Sequence, residues 1–366
     1  MDNPMRILQV RNVQEALPRA ISLLESIGVA RESRNGPVLY GGSVTTIYSK
    51  PLERVIFWPE RDANPFFHLY ESLWMLMGRD DVAPLVRYVK NSANYSDDGI
   101  VFHGAYGYRW RKAFLHDQLQ IIAERLTNDK DDRRCILQMW DTRHDLGFNS
   151  KDLPCNVMAT FQRDKNGALD LTVFCRSNDI IWGAYGANAV QFATLLEYMA
   201  LWIGCPVGIY TQISINWHGY LDTLEKVKNI RPDRVGYVYN PYIDDNIHYI
   251  PMNQNLTGIH QLINIHQKIQ YILYDADTGF SKNDSSIGMD GPDPIKDPWA
   301  RMVYLVLKAH HLYKTNTEEA KFSIPLALLN TGDPKADWIV AAKQWIERRR
   351  YIWGTTQLFN GKLSHP

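Results

Sequence analysis

GALDLTVFCRSNDIIWGAYGANAVQFATLLEYMALWIG, residues 167–204, carries two periodicities in one run. In its first part Leu169, Leu171, Val173 and Cys175 alternate with Asp170 and Thr172, the period of two expected of a strand with one buried face. In its last part Ala189, Phe192, Ala193, Leu196, Met199, Ala200 and Ile203 recur at helical spacing, with Asn188 placed as N-cap and Gly204 as the stop. A strand ending at Arg176 and Ser177 is thus followed by a long buried helix with Asn188 at its mouth.

Working outward, PFFHLYESLWMLMG (65–78) opens on Pro and closes on Gly, the asymmetry of a helix, and places Phe67, Glu71 and Trp74 on one face. A carboxylate therefore stands in an aromatic stripe. RRCILQMW (133–140) reads as a further strand. Strand-like and helix-like segments mix up to about residue 250. The one extended stretch rich in Gly, Pro, Asp and Ser is DADTGFSKNDSSIGMDGPDPIKDP (275–298), and from 299 the pattern is helical, with PWARMVYLVLKAHHLYK and DPKADWIVAAKQWIERRRYI. These features divide the chain into an N-terminal segment (1–30), a catalytic core (31–250) and a loop with a helical C-terminal extension (251–366). There is no internal repeat.

The 366 residues are 45% hydrophobic and 12% aromatic, enough to bury a sizeable core. Forty basic and forty acidic side chains cancel, so no global field draws nucleic acid or anionic lipid, and an anionic ligand must be met by local arginines. No apolar run has the length of a membrane span, and MDNPMRILQV lacks the layout of a secretory signal, which points to the cytoplasm. Cys135, Cys155, Cys175 and Cys205 are widely spaced without CxxC pairs, so reduced thiols are expected and no metal site.

Cys155 lies in DLPCN (152–156), where a thiol is presented from a loop or strand start. A free cysteine by itself is commonly a small buried hydrophobe, but a thiolate nucleophile needs nearby cations, and Arg133, Arg134 and Arg176 are candidates. Paired arginines in DDRRC are often a solvated turn; at the start of a buried strand their forks also suit a phosphate, as does Arg34 in SRNGP. His218 and Tyr220 in INWHGY share one face of an extended segment and could hold a sugar hydroxyl or only satisfy a core edge. Ser177 and Asp179 could be simple turn formers.

DLPCN, CRSNDIIWGAYGAN and INWHGYLD, in that order and spacing, resemble the thymidylate synthase and pyrimidine hydroxymethylase family. Upstream, ESLWMLMG, AYGYRWR and DDRRCILQMW resemble its Glu helix, its Tyr-Gly turn and its Arg-Arg strand, so that the likeness covers about residues 31 to 225. The resemblance implies an α+β fold, a mixed β-sheet with flanking helices, plus the C-terminal helical extension. It also implies a homodimer with the two sheets face to face and Arg133 and Arg134 acting across the interface. Cys155 would be the nucleophile, Glu71 a proton relay of raised pKa and Tyr106 the assistant in removing the C5 proton. Arg34, Arg176 and Ser177 would hold the phosphate of dUMP or a related pyrimidine nucleotide, His218 and Tyr220 the deoxyribose, and Asn188 the base. Asp179, Trp182 and Gly183 would face methylenetetrahydrofolate, the co-substrate. No metal, nucleic acid or membrane enters this scheme.

The chemistry requires these types, because C5 of a pyrimidine becomes nucleophilic only when a thiolate adds at C6. The resulting exocyclic methylene is either reduced to methyl by a synthase or hydrated to hydroxymethyl. Synthases shield it with a tryptophan and an apolar C-terminus. Here KNSANYSDDG (90–99) offers Tyr95 and no Trp, and the sequence closes on FNGKLSHP, which favours hydroxymethylation, with the C-terminal helices as an alternative lid. An amide at Asn188 favours uracil, whereas a carboxylate is the family's usual partner for cytosine. Asn156 stands where synthases carry His, Cys175 where they carry Gln, and the segment from Asp179 to Asn188 is one residue longer than usual. Thymidylate synthase, dCMP hydroxymethylase and an inactive nucleotide-binding relative are the alternatives. A hydroxymethylated product would suit phage DNA modification. The extension could serve dimer contact, a folate lid or docking to other enzymes.

Overall fold

The computed structural model describes residues 6–252, 259–280 and 297–362. Eight strands build one sheet: β1 (Arg6–Val10), β2 (Val29–Arg31), β3 (Val38–Tyr48), β4 (Ile136–Gln138), β5 (Asn156–Arg163), β6 (Leu169–Cys175), β7 (Asn178–Asp179) and β8 (Val207–Tyr220). Their order is β1-β3-β8-β6-β5-β4, with β2 added beside β3 and β7 beside β8. β1 and β3 run parallel, as do β6 and β8, while β3–β8, β5–β6 and β4–β5 are antiparallel, so the sheet is mixed. Residues 6–31 are part of this layer, through β1, β2 and the helix α1 (Val13–Ile27), which packs on β1 and β3.

Alternation along each strand separates two faces. Thr46, Gln212, Val173, Ala159 and Leu137 stand in one row across the sheet, all buried under α3 (Gln118–Asn128) and α4 (Asn188–Ile203). The next row, Thr45, Ile213, Phe174 and Met158, faces the other way, and Phe174 there is 37% exposed. Helices thus cover one face only.

α2 (Pro65–Leu76) forms over the segment that the Pro-to-Gly pattern marks, with Asn64 accepting from the Phe67 N–H and Gly78 in the left-handed region at φ +64°. The strand expected over 133–140 is shorter, 136–138, because Arg133 and Arg134 sit in an Asp132-centred turn. Asn188 is not an N-cap: its backbone is already helical (φ −62°, ψ −40°), continuing from a π-helical segment over Ile180–Ala187. Its side chain is engaged elsewhere. α4 is buried on all sides and not on one face alone, since Val190, Glu197 and Tyr198 are also covered.

The extension covers part of α4, and its helices begin earlier than the pattern predicts: α5 (Ile259–Thr278), α6 (Pro298–Thr315), α7 (Ala320–Leu329) and α8 (Asp337–Lys362). α5 reaches into the expected loop, whose residues 281–296 lie outside the described residues. α5, α6 and α8 all pack on α2, and α5 also on α4, in one continuous apolar cluster with the sheet. At about 1.5–3 kcal/mol for each fully buried large aliphatic or aromatic side chain, this contact fixes α2 firmly.

Candidate active site

A cavity of about 550 Å³ opens between α2, the Lys90–Tyr95 turn, the Tyr106 segment and the start of α4. The predicted stripe of α2 forms one wall, with Phe67, Glu71 and Trp74 all facing it. Glu71 accepts a 2.6 Å hydrogen bond from Gln191 on α4, and burial lifts its carboxyl to about 7 despite that bond. Tyr95 lines the rim and is largely exposed.

Tyr106 borders the cavity and is tied to Cys155. Its hydroxyl oxygen accepts from the backbone N–H groups of Cys155 and Asn156, both at 3.1 Å, which leaves its own proton free to donate. Gly107 makes this closeness possible: a Cβ there would lie 2.1 Å from the Met75 carbonyl oxygen on α2. The Cys155 thiol is pushed up by burial; Arg176 and then Arg34 pull it down without overturning the burial effect. The expectation of a cation-lowered thiol is corrected to that extent, and Arg133 and Arg134 take no part. Arg176 Nε and Nη2 hold the carbonyls of Pro154 and Leu153 at 2.9 and 3.2 Å, bracing the loop in front of the thiol.

Behind Cys155 runs a ladder of three amides. Asn156 Nδ2 donates to Asn188 Oδ1 (3.2 Å), Asn188 Nδ2 to Asn178 Oδ1 (3.1 Å), and Asn178 Nδ2 to Ser214 Oγ (3.0 Å). The four residues it joins stand on four different elements, β5, α4, β7 and β8. Asn178 escapes sequence reasoning because it sits at an unspecified position between Ser177 and Asp179. Gly183 fits against it: an added Cβ would come within 2.5 Å of Asn178 Oδ1.

Asp179 Oδ1 accepts from Ile181 N–H (2.9 Å) and Trp182 N–H (2.5 Å), capping the π-helical segment, while Oδ2 is buried without a partner. Burial raises this carboxyl. Trp182 is 54% exposed at the cavity, with the Arg61 guanidinium stacked 4.2 Å from its ring centre. Arg61, which the sequence reading missed, is anchored by a 3.0 Å bond to the Ile181 carbonyl.

His218 and Tyr220 lie near the end of β8, ring centres 5.5 Å apart. His218 Nδ1 bonds the Asn216 carbonyl at 3.0 Å, which requires the proton on Nδ1 and leaves Nε2 free. Ser177 follows Arg176 at the end of β6, and Arg34 is exposed in its turn near enough to Cys155 to act on the thiol. Arg133 is exposed, whereas Arg134 is paired with Asp132. Asp152, also missed, lines the cavity with Glu71 and Tyr106. The signal was a carboxylate three residues before the cysteine. No group of three His, Cys, Asp or Glu among the described residues is placed to hold a metal ion, and no described helix is long and apolar enough to cross a membrane.

The thymidylate synthase family profile matches residues 63–234, from the start of α2 past the end of β8. A deoxyuridylate hydroxymethyltransferase of Pseudomonas phage M6 is 45% identical over 350 residues, 94% of this chain and 95% of its own. That span takes in most of the helical extension. A protein of the same description from Bacillus phage SP01 is 42% identical over 48% of each chain, and one from Delftia phage PhiW-14 is 28% identical over 62% of this chain and 66% of its own.

Proposed function

This chain belongs to the thymidylate synthase family, and on that premise we propose that it transfers a one-carbon unit from methylenetetrahydrofolate to C5 of dUMP and delivers it as hydroxymethyl. The observation that carries the hydroxymethyl outcome is the open rim of the cavity at Tyr95, above a wall that is largely apolar. Tyr95, the aromatic that the sequence offers in place of a shielding tryptophan, is turned to solvent there and leaves water a way to the reacting carbon. The phage relatives of the same description support the same product.

In this reading Cys155 Sγ adds to C6 of the base, and the electron pair moves to O4 as an enolate. Arg34, Arg176 through its free Nη1, and Ser177 hold the phosphate, joined by the partner's Arg133 and the partner's Arg134. His218 Nε2 and the Tyr220 hydroxyl bind the deoxyribose. Asn188, with one N–H and one lone pair beyond those used in the amide ladder, meets O4 and N3–H of uracil. Methylenetetrahydrofolate, when bound, supplies the carbon as an electrophile. The residues at hand fit it: Trp182 and the aromatic face of α2 line the cavity and suit a flat ring, while Asp179 and Gly183, which the motif assigns to the folate, flank Trp182 in the chain. Tyr106 then assists in taking the C5 proton, and Glu71 relays protons through water. The rows of Ile213, Phe174 and Met158 on the uncovered sheet face form the homodimer contact. The site of action is the cytoplasm of a bacterial cell, with phage DNA modification as the use.

Mass spectrometry of the products from purified protein, methylenetetrahydrofolate and either dUMP or dCMP tests the reading. Hydroxymethyl-dUMP with tetrahydrofolate is expected. Thymidylate would replace it with a synthase, a cytosine product would refute the role given to Asn188, and no product at all would leave a binding protein.

A further inference from the structure

We propose that Asp152 is a second catalytic carboxylate, which holds the water that adds to the exocyclic methylene and takes its proton; the assignment rests on the hydroxymethylase reading above. Asp152 stands three residues before Cys155 and lines the same cavity as Glu71 and Tyr106. One oxygen is fixed: Oδ2 accepts from the Gly104 N–H at 2.8 Å. A Cβ at position 104 would lie 2.5 Å from the Asp152 carbonyl, so glycine lets the two segments meet. Oδ1 receives no hydrogen bond among the described residues, and no ion pair neutralises the group.

Glu71 has the same construction, one oxygen held by Gln191 at 2.6 Å and the other free. Together with the free proton of Tyr106, these groups offer two acceptors and a donor around one end of the cavity, which meets the two to four polar partners a held water needs. A loop-fixing role would use Oδ2 alone, and Oδ1 is left over in a residue that lines the cavity.

The two carboxylates also divide the labour. Burial lifts Asp152 to about 6 and Glu71 to about 7, and the charge of Asp152 contributes to the rise at Glu71. At neutral pH Asp152 is mostly ionised and able to accept a proton, while Glu71 is about half protonated and able to donate one. In the step proposed, the water oxygen bonds to the exocyclic carbon and its proton passes to Asp152 Oδ1. The pair of the exocyclic double bond moves through C5 and C4 to O4. The enolate then reforms the C5–C6 double bond and expels Cys155 as thiolate, which the proton held by Asp152 neutralises through water. Nothing is oxidised or reduced.

Hydration can be read apart from the folate half of the reaction. Cys155 adds to 5-hydroxymethyl-dUMP, hydroxide leaves and water returns, so the wild-type protein without folate should exchange the hydroxymethyl oxygen with ¹⁸O-labelled water, measured by mass spectrometry. Asp152→Asn keeps an acceptor for Gly104 and removes the base. Its ¹⁸O exchange should fall by at least about 10²-fold, with dUMP binding and the single-turnover, folate-dependent release of tritium from C5 of labelled dUMP within about threefold of wild type. Unchanged ¹⁸O exchange overturns the assignment, as does a parallel loss of tritium release, which would place Asp152 before the hydration step. Thymidylate as the only wild-type product would overturn the hydroxymethylase reading and this assignment with it.

Discussion

At Asn188 the position of a single nitrogen decides what base the site can read. The ladder from Asn156 to Ser214 orients its amide by pointing Nδ2 at Asn178 Oδ1 and Oδ1 at Asn156 Nδ2. Asn188→Asp would set a carboxylate oxygen against Asn178 Oδ1, and relief comes only if the Asn178 amide turns over, which breaks its donation to Ser214. The expected outcome is a shift of the kcat/KM ratio from dUMP towards dCMP on the order of 10²-fold, with a loss of total activity, checked by competition between the two nucleotides. Asn178→Ser in the same background should recover part of that loss. Sequence reading found Asn188 through its motif; the ladder was hidden, since its members come from four elements far apart in the chain.

Between Asp179 and Asn188 the extra residue noted in the sequence is taken up by π-helical bonding over Ile180–Ala187, with Tyr185 and Gly186 off helical geometry. The segment therefore widens locally and still presents Asn188 to its partners. α2 and the Tyr106 turn form a second such coupling, through Gly107 packed on the backbone of Met75. Gly107→Ala has a Cβ 2.1 Å from Met75 O, and neither backbone can yield without moving Glu71 or Tyr106. A stability loss of about 1–3 kcal/mol in urea unfolding is expected, with a greater fractional loss of activity than Asn188→Ala shows at equal folding.

Across the whole molecule the extension and the core are tied by buried charge. Asp337, at the start of α8, accepts from the Tyr242 hydroxyl of the core at 2.9 Å, and Arg54, which pairs with Glu197 of α4 at 2.7 Å, also acts on its charge. Burial lifts Asp337 from an ordinary carboxyl to about 7. A carboxyl whose folded pKa is raised contributes stability that is full below its unfolded pKa of about 4 and is lost as pH rises through about 7. Asp337→Asn should flatten the fall in melting temperature between pH 5 and 8, by an amount worth a few kcal/mol at the upper end. The other face of the molecule carries the dimer prediction. Protein with Cys155→Ser and protein with Arg133→Ala and Arg134→Ala, each nearly inactive, should regain up to about a quarter of wild-type activity when mixed under subunit exchange. Persistent inactivity of a verified mixed dimer would remove the arginines from the partner's site.

The periodicities of 167–204 and the motifs around Cys155, Asp179 and His218 determined the mixed layer of strands and helices and named most of the side chains that now stand around the candidate site, because side-chain period and motif spacing are local properties of the chain. Tertiary structure alone decided the rest. Asn188 could not be told from an N-cap until the π-helical segment ran into it, and Cys155 could not be known as a burial-raised thiol until the loop closed over it. The packing of the extension on α2, and the meeting of Asp152 with Glu71, arise from contacts between residues distant in sequence, which no local pattern encodes.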